Sequence, residues 1–228
     1  MYELKYKSSW VKFDDCLSGL KELPDKSIDL CLTDPPYNVE FKGKAYGGQS
    51  YEDSMNKMDY INWCKEWFEE LKRISTMQVI FCGNPNVPYW CKFIEIPTDI
   101  AVWYKKNCQG VGSGYYLVKH DMILMYGKFK RRLSISVIEQ LIKHECAIIH
   151  PCPSNRELYE RIVRELQPTS VIDPFMGSGT TLEVSIRLGI PCFGFEKNRE
   201  YSIDIENSIE RGKTYKKKTS LENWFLNK

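Results

Sequence analysis

The sequence has 228 residues, of which 43% are hydrophobic and 27% charged, so it is long and apolar enough for one globular domain with a sizeable core. The net charge of +2 and the pI near 8.0 exclude a strongly basic chain that would bind a polyanion through bulk charge alone. No apolar stretch approaches the ~20 residues that span a bilayer, and the polar N-terminus MYELKYKSSW is unlike a secretory signal. We therefore expect a cytoplasmic protein without membrane contact, whose nine cysteines are reduced and mostly buried.

The first half of the chain alternates strand-like and helix-like segments. An apolar run at 27–33 predicts a strand that ends in a loop at Asp34. Residues 38–57, which contain Gly43, Gly47 and Gly48, predict a mobile loop, and Asp59 is a candidate cap for the helix that follows it. The apolar residues at helical spacing, which predict the buried face of this helix, are Ile61, Cys64, Trp67, Phe68 and Leu71. Further strands are predicted at 78–82, 100–104 and 122–126.

The second half continues the alternation. Ser154 and Glu157 have the spacing of a capping box, which predicts a helix that begins after Ser154 and ends before Pro168. A strand at 170–172, a glycine-rich turn, a helix that ends at Gly189, a strand at 191–196 and a polar helix at 200–211 follow. Strands that alternate with helices predict an α/β fold with a doubly wound, mostly parallel sheet.

Basic residues cluster at 128–132 and at 211–218. Such runs either contact phosphates or form a solvated surface, and the sequence leaves both interpretations open.

The glycine-rich turn at 173–181 has the composition of a nucleotide-binding loop. Glycines let the backbone approach a ligand, and the following helix offers free N–H groups. No lysine follows Gly177-Ser178-Gly179, so the turn is not a Walker phosphate loop. Glu196 ends the next strand, where its carboxylate could accept both ribose hydroxyls of an adenosine. The structural alternative is an ordinary glycine-rich turn.

The loop Asp34-Pro35-Pro36-Tyr37 follows an apolar strand and suits chemistry on a base amine. The exocyclic amine of adenine or cytosine is a poor nucleophile because its lone pair is delocalised into the ring. A carboxylate and a backbone carbonyl that accept hydrogen bonds from the amine would draw the nitrogen toward tetrahedral geometry. Prolines remove N–H groups, so the loop presents acceptors, and Tyr37 offers a ring on which a flipped base can stack. The alternative is a plain turn.

Together the two loops resemble the amino-directed DNA methyltransferases. Asp34-Pro35-Pro36-Tyr37 matches the catalytic motif of that family, and DPFMGSGTT at 173–181 matches its cofactor motif. The order of the two motifs resembles the beta group, in which the catalytic motif comes first by circular permutation. The resemblance covers most of the chain. It implies a Rossmann-like fold and methyl transfer from S-adenosylmethionine to an exocyclic amine of a base in DNA.

The resemblance also implies roles for individual residues. The block at 13–38 resembles the N-terminal block of the family and places Asp15 at the cofactor adenine. The segment GFEKN at 194–198 resembles the acidic ribose-binding segment of the family, which places Glu196 at the cofactor ribose. The segment at 102–107 resembles the wall of the target-base pocket, to which Trp103, Lys105 and Tyr37 would contribute. The remaining cofactor-binding positions that it implies are Asp173, Pro174, Phe175, Gly177, Ser178, Gly179 and Thr180.

Four residues of zinc-binding type, His144, Cys146, His150 and Cys152, cluster in HECAIIHPC. Their spacing is not that of the common zinc modules. The resemblance places His150 in a His-Pro motif near the methionine end of the cofactor, so we predict no metal. The Lys-Pro pair of that motif is replaced here by Ser154-Asn155, which leaves a contact with the methionine carboxylate less well supported.

We interpret residues 1–228 as a single methyltransferase domain with a short candidate target-recognition insertion at about 108–149. So little chain makes few base-edge contacts. This predicts a short recognition site, relaxed specificity or help from a second subunit in a homodimer.

Several alternatives remain at this point. Asp34 favours adenine N6 over cytosine N4, because family members with a leading serine lean toward cytosine. RNA or protein-glutamine methyltransferases usually carry the cofactor motif first. A nicotinamide enzyme would need a third glycine in the turn at 177–182. The alternative of another class is a catalytically silent nucleic-acid-binding module that retains the fold.

Overall fold

The computed structural model describes residues 2–38, 55–107, 111–112, 117–141, 149–150 and 154–215. The strands are β1 (Glu3–Tyr6), β2 (Ser9–Lys12), β3 (Ile28–Thr33), β4 (Ser75–Cys82), β5 (Asp99–Tyr104), β6 (Val111–Gly112), β7 (Leu117–Val118), β8 (His120–Gly127), β9 (Val137–Glu139), β10 (Val171–Asp173) and β11 (Cys192–Phe195). The helices are α1 (Cys16–Lys21), α2 (Lys57–Ile74), the single turn α3 (Val87–Tyr89), α4 (Arg156–Leu166), α5 (Thr180–Leu188) and α6 (Ser202–Thr214).

Nine strands form one twisted sheet in the order β1-β2-β11-β10-β3-β4-β8-β5-β9. The neighbours from β2 to β4 all run parallel, whereas β8 is antiparallel to both β4 and β5. The prediction of a mostly parallel α/β sheet is confirmed. The N-terminal hairpin of β1 and β2 was not among the predicted strands, and it adds a parallel partner to β11 and an antiparallel edge.

Helices cover both faces of the sheet, as a doubly wound fold requires. Trp67, Phe68 and Leu71 of α2 are fully buried on one face, which confirms the predicted apolar face of that helix. On the other face, side chains of α4, α5 and α6 pack on the same sheet, with Leu158 and Ile205 fully buried. Burial on both faces explains why the central strands are continuous apolar runs.

The winding direction changes between two adjacent strands. From β3 the chain passes through α2 to β4 on one side of the sheet, and from β10 it passes through α5 to β11 on the other. Ligands of open α/β sheets bind outside the carboxyl ends of the strands at such a switch point. Asp34 directly follows β3 and Asp173 ends β10, so both lie at this position.

Two helices begin at residues other than those predicted. Asn56 caps α2 by accepting from the Met58 amide (2.9 Å), whereas Asp59 lies inside the first turn. Asn155 caps α4 by accepting from the Leu158 amide (3.0 Å), so the predicted capping box at Ser154 and Glu157 is wrong. An asparagine caps a helix about as well as a serine, and here its amide also donates to the Leu141 carbonyl (2.5 Å), which fixes it in that position.

Much of the candidate recognition insertion at 108–149 belongs to the sheet. Within it, β8 pairs with β4 and β5, and β9 pairs with β5. The short strands β6 and β7 pair only with each other.

None of the helices in the ranges given above is both long and apolar enough to cross a membrane.

Candidate active site

A buried hydrogen-bond link joins the ends of β3 and β10. The Thr33 hydroxyl, fully buried at the last position of β3, donates to Asp173 Oδ1 (2.7 Å). Asp173 Oδ2 accepts from the Thr181 hydroxyl of α5 (2.5 Å), and Oδ1 also accepts from the Phe175 amide (3.0 Å). Burial raises the pKa of Asp173, and these hydrogen bonds act against that rise. The link brings the predicted catalytic loop and the glycine-rich turn to one edge of the sheet.

Donors from outside the loop hold Asp34-Pro35-Pro36-Tyr37 in place. The Tyr60 hydroxyl of α2 donates to the Pro36 carbonyl (2.9 Å). The amide of Asn86, which is 1% exposed, donates to the Tyr37 carbonyl (2.5 Å) and accepts from Lys57 Nζ (2.5 Å). Because prolines cannot donate, the loop depends on α2 and on the turn after β4 for its conformation.

The Tyr37 ring lies directly on the backbone of Gly83, at the end of β4. A Cβ added at Gly83 would lie 2.8 Å from Tyr37 Cδ2, closer than real contacts allow. Only glycine therefore permits this ring position.

Two buried hydroxyls close to Asp34 have no hydrogen-bond partner of good geometry within the described ranges, although one of them lies near enough to Asp34 to lower the pKa of its carboxyl. They belong to Tyr37 and to Tyr159, whose ring stacks on Phe81 with centroids 5.1 Å apart. The charge of Asp34 acts on both phenols, and burial is the largest cause that raises the pKa of each. Unpartnered buried hydroxyls are costly, so this space fits a polar ligand.

The Asp34 carboxyl has an unusual pKa. Burial raises it to about 7; interaction with Tyr37 lowers it, the Asp121 charge raises it, and Lys105 lowers it. A carboxyl of this kind is poised to accept a hydrogen bond or a proton near neutral pH.

The predicted walls of the base pocket lie beside Asp34. Trp103 is 7% exposed and its indole donates to the Gln140 carbonyl (3.3 Å). Lys105 Nζ lies 4.5 Å from the centroid of that ring and pairs with the Asp121 carboxylate. The structure thus brings Asp34, Tyr37, Trp103 and Lys105 together.

Glu196 closes the glycine-rich turn on its other side. Its Oε2 accepts from the Gly177 amide (2.8 Å) and its Oε1 from the Asn198 amide (2.7 Å). Burial raises its pKa to about 7, against these backbone donors. The positive φ angles of Gly177 (53°) and Gly179 (84°) shape the turn, so an acidic side chain and an open backbone loop face the same space.

His150 packs against the same turn. A Cβ added at Gly177 would lie 2.9 Å from His150 Nε2. The amides of Ile149 and His150 both donate to Asp204 Oδ2 (3.0 and 2.8 Å), and the Thr180 hydroxyl donates to the Ser154 carbonyl (3.3 Å). His150 therefore lies beside the glycine-rich turn. His144, Cys146 and Cys152 lie outside the described residues.

Asp15 also has a structural role, as a helix cap, that the sequence did not indicate. It caps α1, with Oδ1 accepting from the Leu17 amide (2.9 Å). Burial raises the pKa of the neighbouring Cys16 thiol to about 12, and the charges of Asp15 and, more weakly, Glu196 add to that rise. Both carboxylates thus lie near one thiol, at the edge where the adenosine part of a cofactor is predicted.

The other residues of the turn are held from both faces of the sheet. The Phe175 ring lies 5.4 Å from that of Trp63 and 5.3 Å from that of Trp67, on the α2 side. The Ser178 carbonyl accepts from the Ser208 hydroxyl of α6 (2.8 Å), and Pro174 is buried.

Asn38 closes the start of the predicted mobile loop. Its side-chain amide donates to the Met55 carbonyl (2.9 Å) and accepts from the Met55 amide (2.6 Å). The glycines between, Gly43, Gly47 and Gly48, lie outside the described residues, so the mobility of this loop stays a prediction.

The basic run at 128–132 lies away from this edge. The exposed run at 128–132 follows β8, which is antiparallel to β4, and the Lys128 amide bonds the Thr76 carbonyl (3.4 Å) at the opposite end of the sheet. In the C-terminal run, Arg211 pairs with Glu183 and Lys213 with Glu210. Residues 216–218 lie outside the described residues.

The two thiols of β3 and β4 nearest this edge are poor nucleophiles. Burial raises the thiol pKa of Cys31 and Cys82 well above the usual value, so neither forms a ready thiolate.

Sequence reasoning missed five residues of the site. Three of them, Thr33, Tyr60 and Asn86, act through contacts between elements, which no local pattern reveals. Tyr159 lies on the apolar face of α4, where it looks like an ordinary core residue. Asp121 had a usable signal, because it is an acid at the start of a buried strand.

Known structures share this fold. The cytosine-N4-specific PvuII DNA methyltransferase matches with a TM-score of 0.69 and 16% identity over 97% of this chain and 91% of that one. A putative DNA modification methylase from Thermus thermophilus, complexed with S-adenosyl-L-methionine, matches with a TM-score of 0.66 and 18% identity over 90% of this chain and 95% of that one. The fold is that of the methyltransferases that use this cofactor.

Sequence comparison gives the family. A family model described as DNA methylase, for N6- and N4-directed enzymes, matches residues 28–148 and 134–207, more than half of the chain. The type II methyltransferase M.HpaI of Haemophilus parainfluenzae is 29% identical over 86% of this chain and 72% of its own length. M.HinfI of Haemophilus influenzae is 28% identical over 84% of this chain and 65% of its own length. The chain belongs to this DNA methylase family, and the predicted S-adenosylmethionine-dependent DNA methyltransferase is confirmed.

Proposed function

We propose that this chain methylates the exocyclic N6 of adenine in DNA, and that Asp34 accepts a hydrogen bond from the target amine. The observation that carries the proposal is the Asp34 carboxyl, which has a pKa of about 7 and lies at the switch point of the sheet beside the linked ends of β3 and β10. Two buried hydroxyls without partners in the described ranges border the same space.

The cofactor residues are part of the proposal. Glu196 would hold the ribose and Asp15 the adenine of S-adenosylmethionine. The turn from Asp173 through Pro174, Phe175, Gly177, Ser178 and Gly179 to Thr180 would enclose the rest. The donor set fits, because an acidic side chain of raised pKa and glycines of positive φ face the same space. When bound, the cofactor supplies an electrophilic methyl group on a sulfonium.

The remaining steps fall to the residues of the chain. The target base leaves the duplex, at a cost of a few kcal/mol, and stacks on Tyr37, with Trp103 and Lys105 as further walls. A carboxylate oxygen of Asp34 and the Pro35 carbonyl accept the two N–H groups of the amine, so its lone pair turns outward. Transfer would form an N–C bond while the bond between the methyl group and sulfur breaks, which leaves the spent cofactor as a thioether, and the proton released from nitrogen would pass to Asp34. Pro36 and Tyr37 keep these acceptors in place through their bonds to Tyr60 and Asn86.

Adenine is preferred over cytosine on two grounds. The loop begins with Asp rather than Ser, and relatives include a DNA adenine methyltransferase of Escherichia coli that is 24% identical over 82% of this chain. The structural neighbour with cytosine-N4 specificity keeps cytosine N4 as the second candidate.

The single domain with a small recognition region supports a homodimer, in which each subunit would extend the DNA contact of the other. Large apolar side chains are exposed on α2 and on the turn after α3: Met58, Tyr89, Phe93 and, at 75%, Ile96. The molar mass by light scattering checks this.

M.HpaI and M.HinfI are type II methyltransferases of bacteria. We therefore also propose that this chain acts on DNA in a prokaryotic cytoplasm.

The test of the reaction is nucleoside mass spectrometry of unmethylated DNA after incubation with the protein and S-adenosylmethionine. We expect N6-methyladenine with the native chain and with Asp59→Asn, an exposed acid of α2 that serves as control. N4-methylcytosine would overturn the choice of base. No methylated base from folded protein that binds the cofactor would overturn the proposed function.

A further inference from the structure

An ion pair that no sequence motif contains borders the base pocket. Asp121 is the second residue of β8 and lies directly opposite Trp103 of β5, so the two side chains share one face of the sheet. Lys105 follows β5, and its backbone amide bonds the Lys119 carbonyl (2.8 Å). Its ammonium pairs with the Asp121 carboxylate while lying over the Trp103 ring, and both side chains are largely buried (20% and 12% exposed).

The Lys105–Asp121 pair affects the pKa of Asp34. The charged groups that act on the Asp34 carboxyl are two carboxyls, Asp121 of β8 and Asp173 of β10, and one ammonium, that of Lys105 after β5. The titratable neighbours are Tyr37 of the same loop, Cys82 of β4 and Tyr159 of α4. Lys105 is therefore paired with Asp121 and also acts electrostatically on Asp34.

We infer that Asp121 is a positioning residue that retains Lys105 and so leaves the Asp34 carboxylate free for the target amine. The inference rests on the proposed role of Asp34. A lysine ammonium carries three donors and no acceptor, and in a largely buried space it pairs with the nearest carboxylate. Without Asp121, that carboxylate would be Asp34, whose oxygens would then be occupied by ammonium donors instead of the base.

The first variant is Asp121→Asn, which keeps the shape and removes the charge. We expect kcat for methyl transfer to fall about tenfold, with cofactor Kd unchanged, because Lys105 now competes with the amine. The acid limb of the kcat/KM profile should move to lower pH, since Asp34 loses a neighbouring negative charge and gains an ammonium.

The double variant Lys105→Met/Asp121→Asn separates positioning from packing. Removal of the released ammonium should raise kcat above that of Asp121→Asn, although two residues have been changed. Glu139→Gln is the matched control, because it breaks the neighbouring but exposed Lys106–Glu139 pair (2.9 Å) and should leave both kcat and the pH profile as they are. A double variant slower than Asp121→Asn, or an unmoved acid limb, would overturn the inference.

A titration of Asp34 in the absence of turnover tests the role of Asp121 independently of the proposed function. Carboxyl ¹³C NMR of the DNA-free protein should give Asp34 a midpoint near the value of about 7 that burial sets, and a lower midpoint in Asp121→Asn. An unchanged midpoint would refute the retention of Lys105, whether or not the chain methylates DNA. A lowered midpoint in a chain that transfers no methyl group would support the ion-pair switch and contradict only the proposed function.

Discussion

At the scale of single residues, the site is built from acids that burial holds near neutrality. Asp34 and Glu196 both have a pKa of about 7, mainly because burial disfavours their charged forms. When such groups are ionised, their burial lowers the free energy of unfolding. A carboxyl whose pKa is raised in the folded state binds more protons there than in the unfolded chain, so stability falls as pH rises from about 4 toward 7.

Asp34→Asn should therefore stabilise the protein at high pH. At pH 8 the native carboxylate is charged and buried, and the amide removes that cost, so we expect about 1–2 kcal/mol of added stability, or several degrees in Tm. At about pH 3.5 the group is largely protonated in both the folded and the unfolded chain, so the gain should largely vanish. Thermal unfolding at both values checks this. An equal shift at the two values would show that the gain does not come from ionisation.

The sequence revealed these acids unevenly. Asp34, Asp173 and Glu196 each follow or end an apolar strand, so pattern and resemblance found them. Thr33 and Asn86 could not be found in that way, because their partners are 140 and 49 residues away in the chain.

At the scale of elements, the ends of parallel strands and the turns after them place the chemistry. The alternation of apolar runs predicted β3, β4, β5, β8, β10 and β11, and only their ends are displaced. The polar hairpin β1–β2 lacked such a run and was missed. Helix starts were misplaced by one to three residues, because two asparagines, Asn56 and Asn155, compete with nearby Asp59 and Ser154 as caps.

Gly83, in the turn after β4, allows a test of how this turn positions the Tyr37 ring. Gly83→Ala would push the Tyr37 ring off its position, because the new Cβ would overlap it. We expect methyl transfer to slow by about 10- to 100-fold while cofactor affinity stays the same, since misplacement of a pocket side chain by about 1 Å costs that much. Single-turnover rates and calorimetric Kd values check both parts.

Gly189→Ala is the matched control for this substitution. It adds the same methyl group at a helix end where nothing lies within 4 Å, but at a positive φ of 71°. It should cost about 1 kcal/mol of stability and leave the transfer rate intact. If both variants slow transfer equally, the contact between Gly83 and Tyr37 does not matter.

At the scale of the whole molecule, one buried acid joins the three helices that carry the cofactor side. Glu183 of α5 is fully buried and pairs with Arg156 of α4 (2.6 Å), Arg187 of α5 and Arg211 of α6 (2.8 Å). Charge patterning alone did not reveal this cluster, because its members are spread over 55 residues and meet only when the helices pack.

Glu183→Gln should destabilise the fold by about 3–5 kcal/mol, because the largely buried Arg156 and Arg187 lose the charge of Glu183, and Glu160 contacts only Arg187, at 3.4 Å. Urea unfolding measures the loss. Glu210→Gln, which breaks an exposed pair with Lys213, should cost less than about 1 kcal/mol. A cost for Glu183→Gln as small as that of the control would mean that the helices are held by apolar packing alone.

The most direct test of the account is the single-turnover rate of methyl transfer to DNA by Asp34→Ala at saturating S-adenosylmethionine, measured beside the native chain. The account predicts a rate at least about 100-fold lower with cofactor Kd unchanged, because the alanine removes the acceptor for the amine and leaves the Glu196 side of the site intact. A rate close to that of the native chain would contradict it, since the reacting amine would then not depend on Asp34.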